Sequence, residues 1–266
     1  MTTPVFHADP DVLAGSSVGG RVTLRGDEAR HAATVRRIRT GEEVDLVDGA
    51  GLRVTGTVDG AARDALTVTV TGVTHEPPPA VRLVLVQALA KGGRDEQAVE
   101  AATELGVDAV VPWQAGRSVS VWAGAEKAAK GHRRWEAVVA SAAKQSRRAW
   151  VPAVRELVTT SDLTAAAASA VGAGGSVLVL HESATTPMTA AVLPEAGTAG
   201  SVAGGAARPA EVAVVVGPEG GITDHEADAL AGAGAQIVLA GPHVLRTSTA
   251  GPAALAVLAG RLGRWD

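Results

Sequence analysis

The chain has 266 residues, no cysteine and a net charge of −4. That length can bury a proper core as one large or two ordinary domains, and the lack of cysteine excludes disulfide staples and thiolate metal sites, as expected of a cytoplasmic protein. No stretch approaches the roughly 18 to 20 uncharged apolar residues of a membrane span, and Met1-Thr2-Thr3-Pro4 opens no basic-then-apolar export signal.

In chain order, a short helix is expected with Asp27 as its N-cap and Ala29, Ala32, Ala33 and Val35 inside. Residues 43–74 then alternate as half-buried strands: Val44 and Leu46, a turn at 48–51, Leu52 and Val54, then Leu66, Val68 and Val70. This pattern makes a small antiparallel sheet or barrel. Pro77, Pro78 and Pro79 form a stiff extended connector, so the domains are drawn as 1–76 and 77–266. Beyond it, strands and helices alternate. Val81 to Ala88 is a continuous apolar strand, Asp95 caps a helix to about Leu105, Gly106 ends it, and Ala109 to Val111 is the next strand. Helices are expected at about 125–148, 161–170, 224–233 and 249–262, and strands at 177–180, 212–216 and 236–239. Unbroken Val and Leu runs imply strands covered on both faces, hence an α/β domain with a largely parallel sheet. Residues 195–210 read as a surface loop.

From Arg117 to Arg155 there are nine basic residues against two acidic ones, a charge of +7, so the rest of the chain carries −11. Such a segment is either a localised footprint for phosphates or a solvated helix face.

Three expected strand ends carry polar residues. Leu180-His181-Glu182 follows one. "GPEGGIT", residues 217–223, follows the second, with Thr223 and Glu226 at capping-box spacing. "GPHVLRTSTA", residues 241–250, follows the third, with a lone Arg246 before Thr247, Ser248 or Thr249 as helix cap. Ligands of open α/β sheets collect at carboxyl ends of strands. The glycines fit neither a dinucleotide fingerprint nor a P-loop. Glu219, Asp224 and Glu226 would repel a phosphate, so the guest is neutral or cationic there.

Taken together, Lys91-Gly92, "ATELGVDAVVPW", Arg117-Ser118-Val119, Trp135, "AAKQSRR", "GPEGGIT" and "GPHVLRTSTA" resemble the 16S ribosomal RNA uridine N3-methyltransferases of the SPOUT (trefoil-knot) superfamily. "HAATVRRIRTGEEVDLVDGAG" resembles that family's N-terminal PUA-like barrel, and the likeness covers nearly the whole chain. The resemblance implies a C-terminal α/β trefoil-knot domain with a parallel sheet, S-adenosylmethionine as donor without a metal, and a homodimer that completes the active site. The implied target is a uridine in small-subunit 16S rRNA. It places the donor against Leu180, His181 and Glu182; Gly217, Glu219 and Gly220; and Leu239, Gly241 and Pro242, with Val244 and Leu245 closing over. Arg246 is the expected catalytic residue, stabilising charge on the uracil oxygens while the proton leaves to water, Glu219 or His243. The basic residues Arg133, Arg134, Lys144, Arg147 and Arg148, with Gln145, are expected to hold rRNA phosphates, with Lys91 and Arg117 nearer the target. The chain departs from its relatives at His243 and Ser248, where Arg and Glu are common, and lacks the usual arginine before the first strand.

Two alternatives stay open. A nicotinamide oxidoreductase would need a glycine fingerprint after the first strand of the sheet, which "ALAKGGR", residues 88–94, does not supply. A noncatalytic RNA-binding or ribosome-assembly factor on the same fold is less firmly excluded.

Overall fold

The structure, a computed structural model, describes residues 3–195, 199–200 and 208–265. The chain divides into two compact units, Met1–Pro78 with Ala143–Val151, and Pro79–Ala142 with Pro152–Asp266.

The first unit contains β1 (Val5–His7), α1 (Pro10–Leu13), β2 (Arg21–Arg25), α2 (Asp27–Arg30), β3 (Glu43–Val47), β4 (Leu52–Ala62) and β5 (Ala65–His75). Its sheet runs β1-β3-β4-β5-β2, with β1 parallel to β3 and the other pairs antiparallel. The alternation read in the sequence is the alternation seen: Val44, Leu46, Val54, Leu66, Val68 and Val70 all point into the core around Phe6 and Leu13. Register shifts near Gly56 and Gly60 curl the long β4–β5 hairpin. Gly56 sits where a Cβ would lie 2.4 Å from Val68 Cγ1, so no larger residue fits that closely paired point.

Residues 143–151 were not expected in this unit. Ala149 is buried with Val5 and Val47, and Trp150 Nε1 donates to the Glu76 carbonyl at 3.0 Å. The α2 start also differs: Gly26 is the cap residue and Asp27 the first helical one, and the helix widens into a π-turn over His31–Val35.

The second unit contains β6 (Val81–Ala88), α3 (Arg94–Glu104), β7 (Ala109–Gln114), α4 (Gly124–Gln145), β8 (Ala153–Val154), β9 (Val158–Thr159), α5 (Thr160–Gly172), β10 (Ser176–Leu180), β11 (Ala199–Gly200), β12 (Arg208–Val216), α6 (Asp224–Gly232), β13 (Gln236–Val238) and α7 (Thr247–Arg261); the last turn of α4 falls in the first unit. The path β13-β10-β12-β6-β7-β8 is parallel throughout. α3 and α7 pack together on one face, against β6 and β12, and α5 and α6 cover the other, which is why Leu83, Leu85, Val212 and Val214 are buried without polar alternation. Each fully buried Leu or Val contributes about 1.5–3 kcal/mol. Gly251 lets α7 approach the sheet, since a Cβ there would lie 2.7 Å from Leu85 Cδ1.

Three expectations need correction. Asp95 does not cap α3: Gly93 does, and Asp95 is buried in the first turn with Oδ2 unpartnered among the described residues. α4 stops at Gln145 rather than 148. The stretch 195–210 lies largely outside the described residues, and its ends are not loop: Ala199–Gly200 pairs antiparallel with Arg208 and Pro209.

Candidate functional site

Because β13, β10 and β12 are adjacent and parallel, the turns leaving their carboxyl ends share one rim. Residues 180–182, 216–222 and 239–247, with Asp224, Arg94 and Arg117, line a single cavity of about 710 Å³. Leu180, His181, Glu182, Gly217, Glu219, Gly220, Leu239, Gly241, Pro242, Val244, Leu245 and Arg246 all lie in that lining. That volume falls in the range of small-molecule sites.

The turn between β12 and α6 is held on every side. Gly217 closes it so tightly that a Cβ would lie 2.7 Å from Ile222 Cγ1. Glu219 Oε1 accepts from Arg94 Nη1 at 2.8 Å and from the Lys91 backbone N–H at 3.3 Å. Desolvation pushes against ionisation of Glu219, but its own backbone N–H, the Arg94 guanidinium and the Lys91 N–H outweigh it and hold the carboxyl below its ordinary range. Arg117 Nη1 donates to the Gly220 carbonyl at 3.0 Å. Beneath the turn, Glu226 is buried. Its Oε1 accepts from Gly116 N–H at 2.8 Å and Thr160 Oγ1 at 2.9 Å, and its Oε2 from Thr223 N–H at 3.0 Å and Thr223 Oγ1 at 2.8 Å. Burial alone would raise the Glu226 carboxyl, and these donors more than reverse it. The capping box between Thr223 and Glu226 is therefore also a tie to α5 and to the loop carrying Arg117.

The turn between β13 and α7 is anchored at its two ends; at its root Leu239 N–H donates to the Thr186 carbonyl at 2.8 Å and Met188 N–H to the Leu239 carbonyl at 2.9 Å. From Pro242 to Arg246 every residue is exposed, Val244 at 81%. The Arg246 carbonyl accepts from the Thr249 and Ala250 N–H groups at 2.8 and 2.9 Å, while its side chain makes no hydrogen bond or ion pair among the described residues. The helix cap is Arg246 itself, without a side-chain bond. Thr247 turns away from that role: its Oγ1 donates to the Gly217 carbonyl at 2.7 Å and accepts from Gln87 Nε2 at 2.9 Å. This link joins the two glycine-bearing turns through the buried end of β6. Sequence reasoning missed Gln87, although an amide inside the apolar run of β6 was the available signal.

His181 Nδ1 lies 2.8 Å from Ser183 Oγ, and Glu182 and His243 are exposed at the rim. With Arg94 committed to Glu219 and Arg117 to a carbonyl, the lining has no free cradle of cations for a phosphate. It offers backbone polar groups, exposed apolar side chains at Val244 and Leu245, and carboxylates, a lining that fits a nucleoside bearing a sulfonium and an amino acid.

The expected RNA-contacting residues are distributed over both units. Lys91 and Arg117 stand by the Gly217–Gly221 turn. Arg133 and Arg134 are exposed on α4, Arg134 ion-paired with Glu96. Lys144 belongs to the first unit, where Nζ lies 2.6 Å from Glu28 Oε2 and 5.2 Å from the Phe6 ring centroid. Gln145 and Arg147 are exposed and Arg148 is half-buried.

Residues 76–259 match the family model of the RNA methyltransferase domain, and residues 24–71 that of the RNA methyltransferase PUA domain. The chain is 43% identical to ribosomal RNA small subunit methyltransferase E of Mycobacterium bovis, covering 100% of this chain and 95% of that one. It is 26% identical to the Bacillus subtilis protein of the same name, over 86% of this chain and 85% of that one. Among solved structures, ribosomal RNA small subunit methyltransferase E of Neisseria gonorrhoeae bound to S-adenosyl methionine superposes with a TM-score of 0.78 at 28% identity, covering 98% of each chain.

Proposed function

The chain belongs to the RNA methyltransferase family, and from that premise we propose that it transfers the methyl group of S-adenosylmethionine to N3 of a uridine in small-subunit (16S) ribosomal RNA. The names of its relatives support the rRNA substrate and the solved neighbour supports the donor. The observation that carries the reading is the single cavity built by all three strand-end turns, one braced and one exposed.

The donor, when bound, would supply an electrophilic methyl on a cationic sulfur and leave as the neutral thioether as the S–CH3 bond breaks and the N–CH3 bond forms. The backbone of residues 217–221 and 239–242 would hold its nucleoside, with Val244 and Leu245 covering its apolar surface. The acceptor nitrogen must lose a proton, and negative charge then spreads to the uracil oxygens. Arg246 is the unpaired guanidinium of the lining among the described residues, free to stabilise that charge. Glu219 is a poor proton acceptor because Arg94 and two N–H groups favour its ionised form. The proton passes to water or to the exposed imidazole of His243.

Residues 77–266 form the catalytic domain of this reading, of the trefoil-knot class, and residues 1–76 the PUA-like RNA-gripping domain. RNA backbone contacts fall to Lys91, Arg117, Arg133, Arg134, Lys144, Gln145, Arg147 and Arg148. A homodimer is supported by apolar surface on and after α7, Val257 at 37% and Trp265 at 56% exposure. Among the described residues no helix is long and apolar enough to cross a membrane, and the site of action is the ribosome-bearing cytoplasm. Incubation with S-adenosylmethionine and small ribosomal subunits, followed by nucleoside mass spectrometry, should yield 3-methyluridine. Methylation at another atom refutes the N3 assignment, and no methylation favours an assembly factor.

A further inference from the structure

Gln87 is a polar residue inside an apolar strand, and it lies behind the cavity lining rather than in it. It is the second-last residue of β6, fully buried, and pairs in register with Val216 of the parallel strand β12. The Gly217 turn therefore begins one residue from its neighbour. A buried amide costs stability unless its groups are paired, and Gln87 Oε1 has no partner among the described residues. A leucine or methionine would fill the same space without that penalty, so packing alone does not account for the amide.

The direction of its hydrogen bonds is fixed. Gln87 Nε2 lies 3.1 Å from the Ala88 carbonyl; a carbonyl only accepts, so the nitrogen and not the oxygen faces that way. The same nitrogen donates to Thr247 Oγ1 at 2.9 Å. That hydroxyl, accepting from Gln87, gives its one proton to the Gly217 carbonyl at 2.7 Å. Amide, hydroxyl and carbonyl thus form a chain running one way, in which each bond polarises the next.

Thr247 matters because of the residue before it. It opens α7 and is 7% exposed, whereas Pro242 to Arg246 are all exposed. The segment carrying Arg246 meets its first buried polar anchor at the adjoining position. One helical turn on, Gly251 rests against the same strand, where a Cβ would lie 2.7 Å from Leu85 Cδ1. Leu85 and Gln87 share a face of β6, as Thr247 and Gly251 share a face of α7. Close packing and the hydrogen-bond chain together seat the start of α7 on β6.

We infer that Gln87 is a positioning residue for methyl transfer: through Thr247 it fixes the Arg246 backbone relative to the Gly217 turn, and so the guanidinium relative to the donor. This rests on the methyltransferase reading. The effect of Gln87 on turnover passes through Arg246, and its effect on donor binding through Gly217.

The test uses the full chain with S-adenosylmethionine and small ribosomal subunits. Gln87→Met keeps the length and removes the donor group, Thr247→Val removes the hydroxyl at the same shape, and Thr247→Ser retains it. Gln87→Met and Thr247→Val should each lower kcat by about 10- to 100-fold, the scale of a misplacement of up to about 1 Å. Calorimetry should show donor binding weakened by about 2- to 10-fold, the worth of one hydrogen bond. Thr247→Ser should recover most of the kcat that Thr247→Val loses. In an Arg246→Ala background, Gln87→Met should cost no further kcat while its loss of donor affinity persists, a split that a merely structural role does not produce. Losses in kcat that multiply, or full kcat in Gln87→Met, overturn the assignment and leave the methyltransferase reading standing. Should Gln87→Met fail to fold, Thr247→Val in the Arg246→Ala background decides by the same criterion. If the unaltered chain methylates no RNA, the methyltransferase reading fails, and amide hydrogen exchange decides the positioning link alone. Gln87→Met should then speed exchange at the Gly221, Thr249 and Ala250 N–H groups, which close the two turns, and unchanged exchange there overturns it.

Discussion

The two glycine-bearing turns at the cavity look alike in sequence and are built to opposite ends. The first, Gly217 to Thr223, has its carbonyls and carboxylates tied to Arg94, Arg117 and Thr247, over the buried Glu226. The second, Gly241 to Arg246, is exposed from Pro242 onward, and its arginine side chain is unpaired among the described residues. One is a scaffold whose shape is fixed before a ligand arrives. The other holds the groups that close over the ligand and act on it. Similar motifs therefore predict opposite mutational behaviour: changes in the first should cost stability and donor affinity together, while loss of the Arg246 side chain from the second should cost turnover alone.

The sharpest break of that contrast is Arg246→Ala. Removing one charge-stabilising donor typically costs 10²–10³ in kcat; the exposed, unpaired side chain should leave melting temperature and donor affinity nearly unchanged. Equal losses in kcat and donor binding would make Arg246 scaffolding. Next in size is Glu226→Ala, which takes the acceptor from the part-buried Gly116 and Thr223 N–H groups. Each lost hydrogen bond costs about 0.5–1.5 kcal/mol, and denaturant melts should show the loss even without ligand.

The glycines give the most direct pairing of the two turns. Gly217→Ala must displace Ile222 and should cost about 1–3 kcal/mol, with weaker donor binding. A Cβ on Gly241 meets nothing within 4 Å, so Gly241→Ala should stay within about 0.5 kcal/mol. Equal penalties at the two positions would erase the distinction. The smallest effect is on pH. Glu226 and Glu219 have carboxyls held below their ordinary values in the fold. Their contribution to stability is thus complete above the unfolded carboxylate pKa and lost as pH falls through the lower folded values. Acid melts of Glu226→Gln should show a shallower fall in that window than the unaltered chain. Glu219, partly solvated, contributes less.

The parallel sheet was legible because Val and Leu runs such as Val212 to Val216 leave no polar face to expose. The cavity lining was legible from the family blocks, since strand-end positions are fixed once strand order is. What escaped was long-range. Thr247 was one of three candidates for a local cap, with Ser248 and Thr249, but its hydroxyl is taken by the Gly217 carbonyl thirty positions away in sequence, and its partner Gln87 comes from a strand further still. Asp95 and Asp27 have the composition of caps, yet Gly93 and Gly26 take the position because the chain arrives there in conformations glycine tolerates. Residues 143–151 carry no local sign that Trp150 bonds to Glu76, because only the folded first unit presents that carbonyl. The basic count from Arg117 to Arg155 likewise merged side chains that the fold divides between units.

The central claim is that the braced turn and the exposed turn together hold S-adenosylmethionine. Calorimetric titration of that donor into the unaltered chain, Gly217→Ala and Arg246→Ala tests it most directly. Binding by the unaltered chain, clear weakening in Gly217→Ala and near-normal affinity in Arg246→Ala is the predicted result. Absence of heat in the unaltered chain, or binding indifferent to Gly217→Ala, would contradict it.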